Sequence, residues 1–463
     1  MKLWNRARFW LAFWGGKAFL ARYLRTGHAR NDRPGMVSMR LYGDFLKYIA
    51  KPRLTIVVTG TNGKTTIATM AAKILAMQGM TVSYNDWGAN HHAGVARCLL
   101  ACVNWRNRPV RDAAVIEMDE LISPLDVPDL KPQYIIVSNI ARDSMLRNGH
   151  PGYIFRCLEA AIAGTPGATL ILNGDDPISC RLGEGHRRFY FGMGDLLWDP
   201  LPNLANDFPV CPVCGGTPVY DYRIYRHMGQ VHCPVCGFRS PRRDYLVTAV
   251  EDGQLTVQEP GGKAAYPAVS TTAFSAANQA ALIPMFRDMG ISAPELARCF
   301  SYVQPPACRE TREEVRGISL ITMAAKGQNP TAVSTVFDSL ARDPAPKEII
   351  LLLDEVYETP LKTETVAWLY DTDYEFLNCD SVRKIVLGGA RYLDHRLRLL
   401  LAGVPAEKLV CLRHEEDTAG YVDTEGVEKI YVLHDVNAVS RGRAVRDAVR
   451  RRILSERGIA HDL

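Results

Sequence analysis

Short apolar runs rich in β-branched residues recur along the first half of the chain. LTIVVTG at 54–60, MTVSYN at 80–85, AAVIEM at 113–118, QYIIVSNI at 133–140 and ATLILNG at 168–174 read as buried strands. Between them lie segments of helical periodicity, such as ATMAAKILAMQG, which stops at Gly79. Strand and helix in alternation predict an α/β fold, with a mostly parallel sheet covered on both faces. Ahead of the first strand, 5–28 and 38–50 read as helices joined by the turn-rich NDRPG. The texture changes near 198–210 to DPLPNLANDFPV, and a compact Cys/Gly/Pro insert follows to about 242. YLVTAV, QLTVQEP and a helix from about 275 return to the main body, and Pro305–Pro306 marks a boundary. Beyond it KEIILLLDE, RKIVLGG, KLVCLR and KIYVLHD are four further buried strands of a second α/β unit. The expected parts are an N-terminal helical segment (1–50), a central domain (51–305) with an insert (208–242), and a C-terminal domain (306–463). The Arg-rich closing helix VSRGRAVRDAVRRRILSERG reads as a solvated or subunit-facing surface.

Composition changes this picture little. The chain has 463 residues, 47% hydrophobic and 23% charged, with a net charge of +5. That is an ordinary globular make-up, and it excludes disordered, collagen-like and coiled-coil chains. A charge so small over a chain this long does not argue for nucleic acid. Twelve cysteines in such a length do not make a disulfide scaffold, and they point to a reducing, cytoplasmic setting. Trp4, Trp10 and Trp14 lie among Arg and Lys in the first segment. It reads as an amphipathic helix packed on the body, with a helix lying on the inner membrane face as the alternative. No cleavage site follows it, and no run approaches the ~20 apolar residues that span a bilayer.

The main chemical signal is VVTGTNGKTT, 57–66: a buried strand, a glycine loop, then a helix. Gly60 and Gly63 free backbone N–H groups to turn toward phosphate oxygens, with Thr61 and Asn62 between them. The helix start adds the positive end of its dipole. Lys64 reaches terminal phosphates, and Thr65, followed by Thr66, offers a hydroxyl to Mg²⁺. A bland turn is the competing reading. An acidic metal ligand is expected from VIEMDE, 115–120. Either Asp119–Glu120 is the acidic pair of a motor-type ATPase, or Glu117 holds the metal that bridges nucleotide and substrate. Period-two alternation puts Glu117 and Asp119 on one face and Glu120 on the other.

A second signal is CPVCGG…HCPVCG, which sets Cys211, Cys214, Cys233 and Cys236 as two knuckles. Four thiolates at this spacing close a tetrahedral zinc site and leave no open position, so the metal would be structural. His227 and His232 read as surface histidines. Arg223, Arg226, Arg239, Arg242 and Arg243 make the insert basic. The remaining cysteines read as core thiols.

GTNGKTT, VIEMDE, SNIARD, LNGDDP and FSAANQAAL, in this order, resemble the Mur ligase superfamily. These enzymes form amide bonds by phosphorylating a carboxylate with ATP. The resemblance implies that Lys64 and Thr65 bind phosphate and Mg²⁺, with Glu117 as metal ligand. It also implies that Asn139, Arg142 and Asp143 line the site, that Asn173 and Asp176 lie near the nucleotide, and that Asn278 contacts the adenine side. With the four-cysteine insert, the chain is similar to the branch of that superfamily that amidates lipid II, a cell-wall precursor. KAFLARYLRTGHARNDRPGMVSMRL, NDWGANHHAG and LLLDEVYETPLKTETVAWLYDTDYEFL extend the likeness to both ends. A glutaminase partner of the GatD kind is then implied, in a heterodimer, feeding ammonia to the activated α-carboxylate of D-glutamate. No nucleophile-elbow pattern here would make a glutaminase of this chain. Asp354 and Asp371 are the candidates for a catalytic or partner-facing carboxylate, or for one that merely holds a loop. The chain departs from the branch at Thr365, at Gly327–Pro330 and at Cys308–Arg309, which points to an altered acceptor or partner. Alternatives are another Mur-type ligase that adds an amino acid or glutamate, and a zinc-ribbon nucleic-acid ATPase.

Overall fold

A computed structural model describes residues 3–27, 31–85, 89–142, 149–195, 203, 205–269, 273–303, 310–327, 329–353, 366–436 and 438–458. They divide into two units, one mainly N-terminal and one formed by 307–463 with the short pieces 142–149 and 201–206.

The first unit opens with α1 (Leu3–Arg25), α2 (Arg33–Leu41) and α3 (Phe45–Tyr48). NDRPG is not the turn the sequence suggests. Pro34 occupies the first turn of α2, where its missing N–H costs nothing. Then come β1 (Leu54–Thr59), α4 (Lys64–Met77), β2 (Val82–Tyr84), α5 (His92–Cys102), β3 (Ala113–Glu117), α6 (Ser123–Leu130), β4 (Tyr134–Val137), α7 (Pro151–Ala163), β5 (Thr169–Asn173) and β6 (Arg188–Met193). The insert carries the hairpin β7 (Val219–Tyr225) and β8 (Met228–His232). β9 (Tyr245–Glu251), β10 (Gln254–Glu259), β11 (Gly262–Pro267), α8 (Ala273–Ala280), α9 (Ile283–Asp288) and α10 (Ala293–Tyr302) complete the unit.

Nine strands form one sheet in the order β11-β10-β9-β6-β5-β4-β1-β3-β2. Within this sheet β2, β3, β1, β4, β5, β6 and β9 run parallel, and β10 and β11 add an antiparallel edge. Successive residues of each strand feed opposite cores. Val57, Ile116, Ile135 and Leu170 pack with α1, α3, α5 and α7 on one face. Ile56, Val58, Val115, Ile136 and Ile171 pack with α4, α8, α9 and α10 on the other. Burial on both faces explains why these strands read as continuous apolar runs.

The second unit contains β12 (Glu310–Val315), β13 (Ile318–Ala325), α11 (Pro330–Arg342), β14 (Lys347–Leu352), α12 (Ala367–Asp371), β15 (Val382–Gly388), α13 (Tyr392–Leu401), β16 (Leu409–Leu412), β17 (Lys429–Asp435) and α14 (Val439–Gly458). Its six-stranded sheet has the order β12-β13-β17-β14-β15-β16, parallel except for the β12–β13 hairpin. That hairpin adds two strands to the four expected from the sequence. The closing helix is not wholly solvated, because Val445, Val449 and Ile453 bury one side against Leu320, Ile350 and Val432.

Candidate phosphate-binding and metal sites

The candidate site is built where β1 ends. Gly60 and Gly63 both take positive φ (111° and 90°), a region that only glycine enters without strain. Contact reinforces the choice. A Cβ on Gly60 would lie 2.5 Å from Ser138 Oγ, and one on Gly63 would lie 2.2 Å from Asn278 Oδ1. The neighbouring turn after β4 holds the loop in shape. Thr61 N–H donates to Asn139 O (2.8 Å), and the Asn62 carbonyl accepts from Ser138 Oγ (2.5 Å) and Asn139 Nδ2 (3.0 Å). Thr61 Oγ1 donates to Ala141 O at 3.1 Å and accepts from Ala141 N–H at 3.0 Å. Behind it Asn173 Nδ2 donates to Ser138 O (3.1 Å), while Asp176 accepts the Ile140 and Ile178 N–H groups at 2.7 and 2.9 Å.

α4 starts at Gly63 with no side-chain cap. Thr65 and Thr66 lie half-buried in its first turn. Lys64 folds back over the loop, donating to the Gly60 carbonyl at 2.5 Å and to Glu120 Oε1 at 2.9 Å. Glu120 is buried, and its other oxygen has no hydrogen-bond partner. Burial pushes this carboxyl up from its ordinary pKa, Lys64 pulls it back, and Asp119 raises it further. β3 ends at Glu117, so the strand alternation read from the sequence does not extend to residue 120. Sequence reasoning offered Glu120 only as half of an acidic pair with Asp119; its direct contact to the loop lysine was not read from the sequence. Glu117 is buried at the strand end, where Asn85 brackets its backbone on both sides (2.8 and 2.9 Å).

A loop of this shape fits a nucleoside triphosphate. It has a cation on the loop and an uncapped helix start, both suited to phosphate oxygens. The orphaned oxygen of buried Glu120 is a hard donor of the kind a divalent cation such as Mg²⁺ takes.

Among the sequence-derived site residues, the structure gathers Gly60, Thr61, Asn62, Gly63, Lys64, Asn139 and Asn278 about the loop, with Asn173 and Asp176 behind Asn139. Arg142 divides with the second unit, where it forms a 2.6 Å ion pair with Asp371. Trp368 is buried in that unit's core, and Glu375 pairs with Arg398 (2.8 Å). Asp143, Asp354, Thr365, Cys308 and Arg309 lie outside the described residues.

The insert gathers its cysteines as expected. Cys211, Cys214, Cys233 and Cys236 bring their sulfurs within 4.8 Å of one another. Each knuckle is a matching turn. Gly215 N–H donates to Cys211 O (2.9 Å) and Gly237 N–H to Cys233 O (3.0 Å), with both glycines at positive φ. Backbone N–H groups of Cys236 and Val235 hold the Cys233 thiol below its usual range. A set of four soft sulfur donors suits a metal ion and leaves no fifth residue to open it.

His227 is not at the surface. It sits at the hairpin tip, fully buried, with Nε2 2.9 Å from the Ile140 carbonyl and 3.5 Å from Asp176. Gly229 N–H donates to Asp175 O (2.7 Å), and the Phe208 and Phe238 rings meet at a tilt, 6.1 Å between centres. The insert is therefore docked on the same turn that supports the phosphate loop. Its basic residues are partly structural, since Arg243 bonds Tyr222 and faces Asp175.

Taken together, a doubly covered parallel sheet carries a lysine-bearing glycine loop at the end of a central strand, the arrangement of a nucleotide-binding α/β core. Residues 58–192 match the family model described as Mur ligase middle domain. The fold agrees. A pseudomurein peptide ligase type C from Methanothermus fervidus superposes with a TM-score of 0.63 at 17% identity, covering 88% of this chain and 81% of that one. The MurF ligase from Thermotoga maritima, solved with ADP, gives 0.57 at 15% identity over 91% and 85%. The likeness then narrows to one branch. Residues 327–439 match the model described as MurT ligase C-terminal. The chain is 26% identical over 419 residues (88% of it and 90% of the relative) to the lipid II isoglutaminyl synthase (glutamine-hydrolyzing) subunit MurT of Streptococcus pneumoniae. The Staphylococcus aureus protein of the same name is 26% identical over 87% and 90%.

Proposed function

We propose that this protein is the ATP-consuming subunit of a cell-wall amidotransferase of the MurT kind. A carboxylate oxygen of the acceptor attacks the γ-phosphorus of ATP, and ADP leaves. Ammonia then attacks the acyl phosphate carbon, inorganic phosphate departs, and the nitrogen loses a proton to give the amide. Lys64 and the loop N–H groups between Gly60 and Thr65 neutralise the charge that builds on the transferring phosphoryl group. Thr65 and Glu117 would hold Mg²⁺, which when bound would supply the rest of that neutralisation. Asn139, Asn173, Asp176 and Asn278 shape the nucleotide side. Zinc at the four cysteines is structural. It fixes the hairpin whose tip buttresses the turn around Ile140.

The observation that carries this reading is the coexistence in one chain of an intact phosphate loop and similarity to MurT subunits over nearly the whole length. The acceptor is the α-carboxylate of D-glutamate in lipid II, and the ammonia comes from a separate glutaminase subunit. Asp371, and Asp354, are the carboxylates offered to that partner. A lipid-linked acceptor keeps the working enzyme at the inner face of the membrane. Co-expression with a GatD-like glutaminase tests the whole reading. The pair, given glutamine and ATP, converts the lipid II carboxylic acid to the amide, seen by mass spectrometry. ADP formation without amidation of lipid II, with amino acids serving as nucleophile instead, would assign the chain to another Mur-type ligation.

A further inference from the structure

The first helix, α1, is apolar on two opposite sides. Phe9, Ala12, Phe13, Gly16 and Leu20 are buried and pack it against α2, α3 and α5. A second stripe, Trp4, Ala7, Leu11, Trp14 and Ala18, repeats at alternating steps of three and four and faces outward. The loop between α5 and β3 continues it. Trp14 Nε1 donates to the Trp105 carbonyl (3.4 Å), and Lys17 Nζ lies 5.7 Å from the Trp105 ring centre. Trp4, Leu11, Trp14, Trp105 and Val110 are each 52–73% exposed, an unusual concentration of large apolar groups.

Charge selects the occupant. α1 carries Arg6, Arg8, Lys17, Arg22 and Arg25 and no acidic residue. The loop adds Arg106, Arg108 and Arg111, all exposed. The adjoining acid, Asp112, is occupied by the Thr81 N–H and hydroxyl (2.8 and 2.7 Å). A second copy would bring an equally cationic face against this one. An anionic lipid surface offers instead an interface where indole rings are at home and where basic residues near the headgroups are attracted. No helix among the described residues is long and apolar enough to cross a membrane. We infer that the outward stripe of α1 and the 104–111 loop form one peripheral membrane-docking face that takes anionic phospholipid.

The inference deepens the placement at the membrane proposed above but stands on its own observations. Sedimentation of the full chain with vesicles of phosphatidylcholine, alone or with phosphatidylglycerol, tests it. Binding is expected to the anionic vesicles, to weaken with added salt, and to be near background on neutral ones. Trp4→Ala/Leu11→Ala/Trp14→Ala/Trp105→Ala and Arg106→Glu/Arg108→Glu/Arg111→Glu should each weaken it at least ~10-fold, with unchanged melting temperature and ATP binding. Lys64→Ala should bind vesicles as the native chain does, whatever becomes of the ligase reading. Equal binding to neutral vesicles, no binding to anionic ones, or native-like binding by both multiple variants would overturn the proposal. So would a concentration-dependent dimer dissolved by Leu11→Asp, which would assign the stripe to a second copy.

Discussion

Each unit has a strand–loop–helix turn at the carboxyl end of a parallel strand, and the two turns treat the helix start in opposite ways. In the second unit, between β13 and α11, Asn329 caps the helix by accepting the Ala332 N–H at 2.9 Å, and Pro330 fills the first turn. Asp435 Oδ2 takes the Gly327 N–H at 2.6 Å. One of these oxygens comes from the turn itself and the other from the end of β17. In the first unit, between β1 and α4, a left-handed glycine stands at the cap position and provides no side-chain oxygen. The turn is stiffened from outside, by Ser138, Asn139 and Ala141, while the helix start is left for an external anion. The same topology thus gives a structural joint in one unit and a binding loop in the other. The difference lies in whether the capping oxygen belongs to the chain or to the ligand.

Breaking the binding loop should have the largest effect. Lys64→Ala should lower ATP turnover by about 10²–10³-fold, measured as ADP released. It also strips Glu120 of its cation. That carboxyl's pKa is already raised by burial, so the added instability exists above its pKa and is relieved as pH falls. Lys64→Ala/Glu120→Gln should regain the lost melting temperature without regaining turnover. Gly63→Ala comes next. It places a Cβ against Asn278 at φ 90° and should cost ~1–3 kcal/mol of stability along with nucleotide affinity, read by calorimetry. Asn329→Ala sharpens the contrast from the other side, with about 1 kcal/mol lost by denaturant melts and nucleotide affinity untouched.

The smallest effect concerns a third helix start, that of α5. His92 is held by Asp126 at 2.7 Å, and this hydrogen bond raises the imidazole pKa. A raised histidine adds stability fully below its unfolded value of ~6.5 and loses it as pH rises through the folded value. Asp126→Asn should bring the His92 midpoint down, as followed by NMR. An unmoved midpoint would remove Asp126 as the cause.

The sequence made the central sheet legible because strands buried on both faces leave continuous apolar runs such as Ile56–Val57–Val58. It hid strands whose charged residues break the apolar run, while the apolar edge strands β2 and β16 stayed legible. β12 reads Glu-Thr-Arg-Glu-Glu-Val and is largely exposed, and β7 alternates Tyr with Asp and Arg. The closing helix matched its expected span, yet its buried side was concealed by its many arginines. In the site, glycine spacing revealed the left-handed loop at the end of β1, and cysteine spacing revealed the cluster of four sulfurs. The sequence offered Glu120 as half of an acidic pair and His227 as a surface histidine, and the contacts each makes were hidden for one shared reason. Each acts through a tertiary approach, to Lys64 and to the turn at Ile140, that no local period encodes.

The central claim is that phosphate passes from the nucleotide held at Lys64 to an acceptor carboxylate before the amide forms. An acceptor labelled with ¹⁸O in that carboxylate tests it in a single turnover with ATP, glutamine and the glutaminase subunit. Acyl phosphate formation requires one labelled oxygen to leave with the inorganic phosphate, in step with amide produced. Unlabelled phosphate accompanying full amidation would contradict the account.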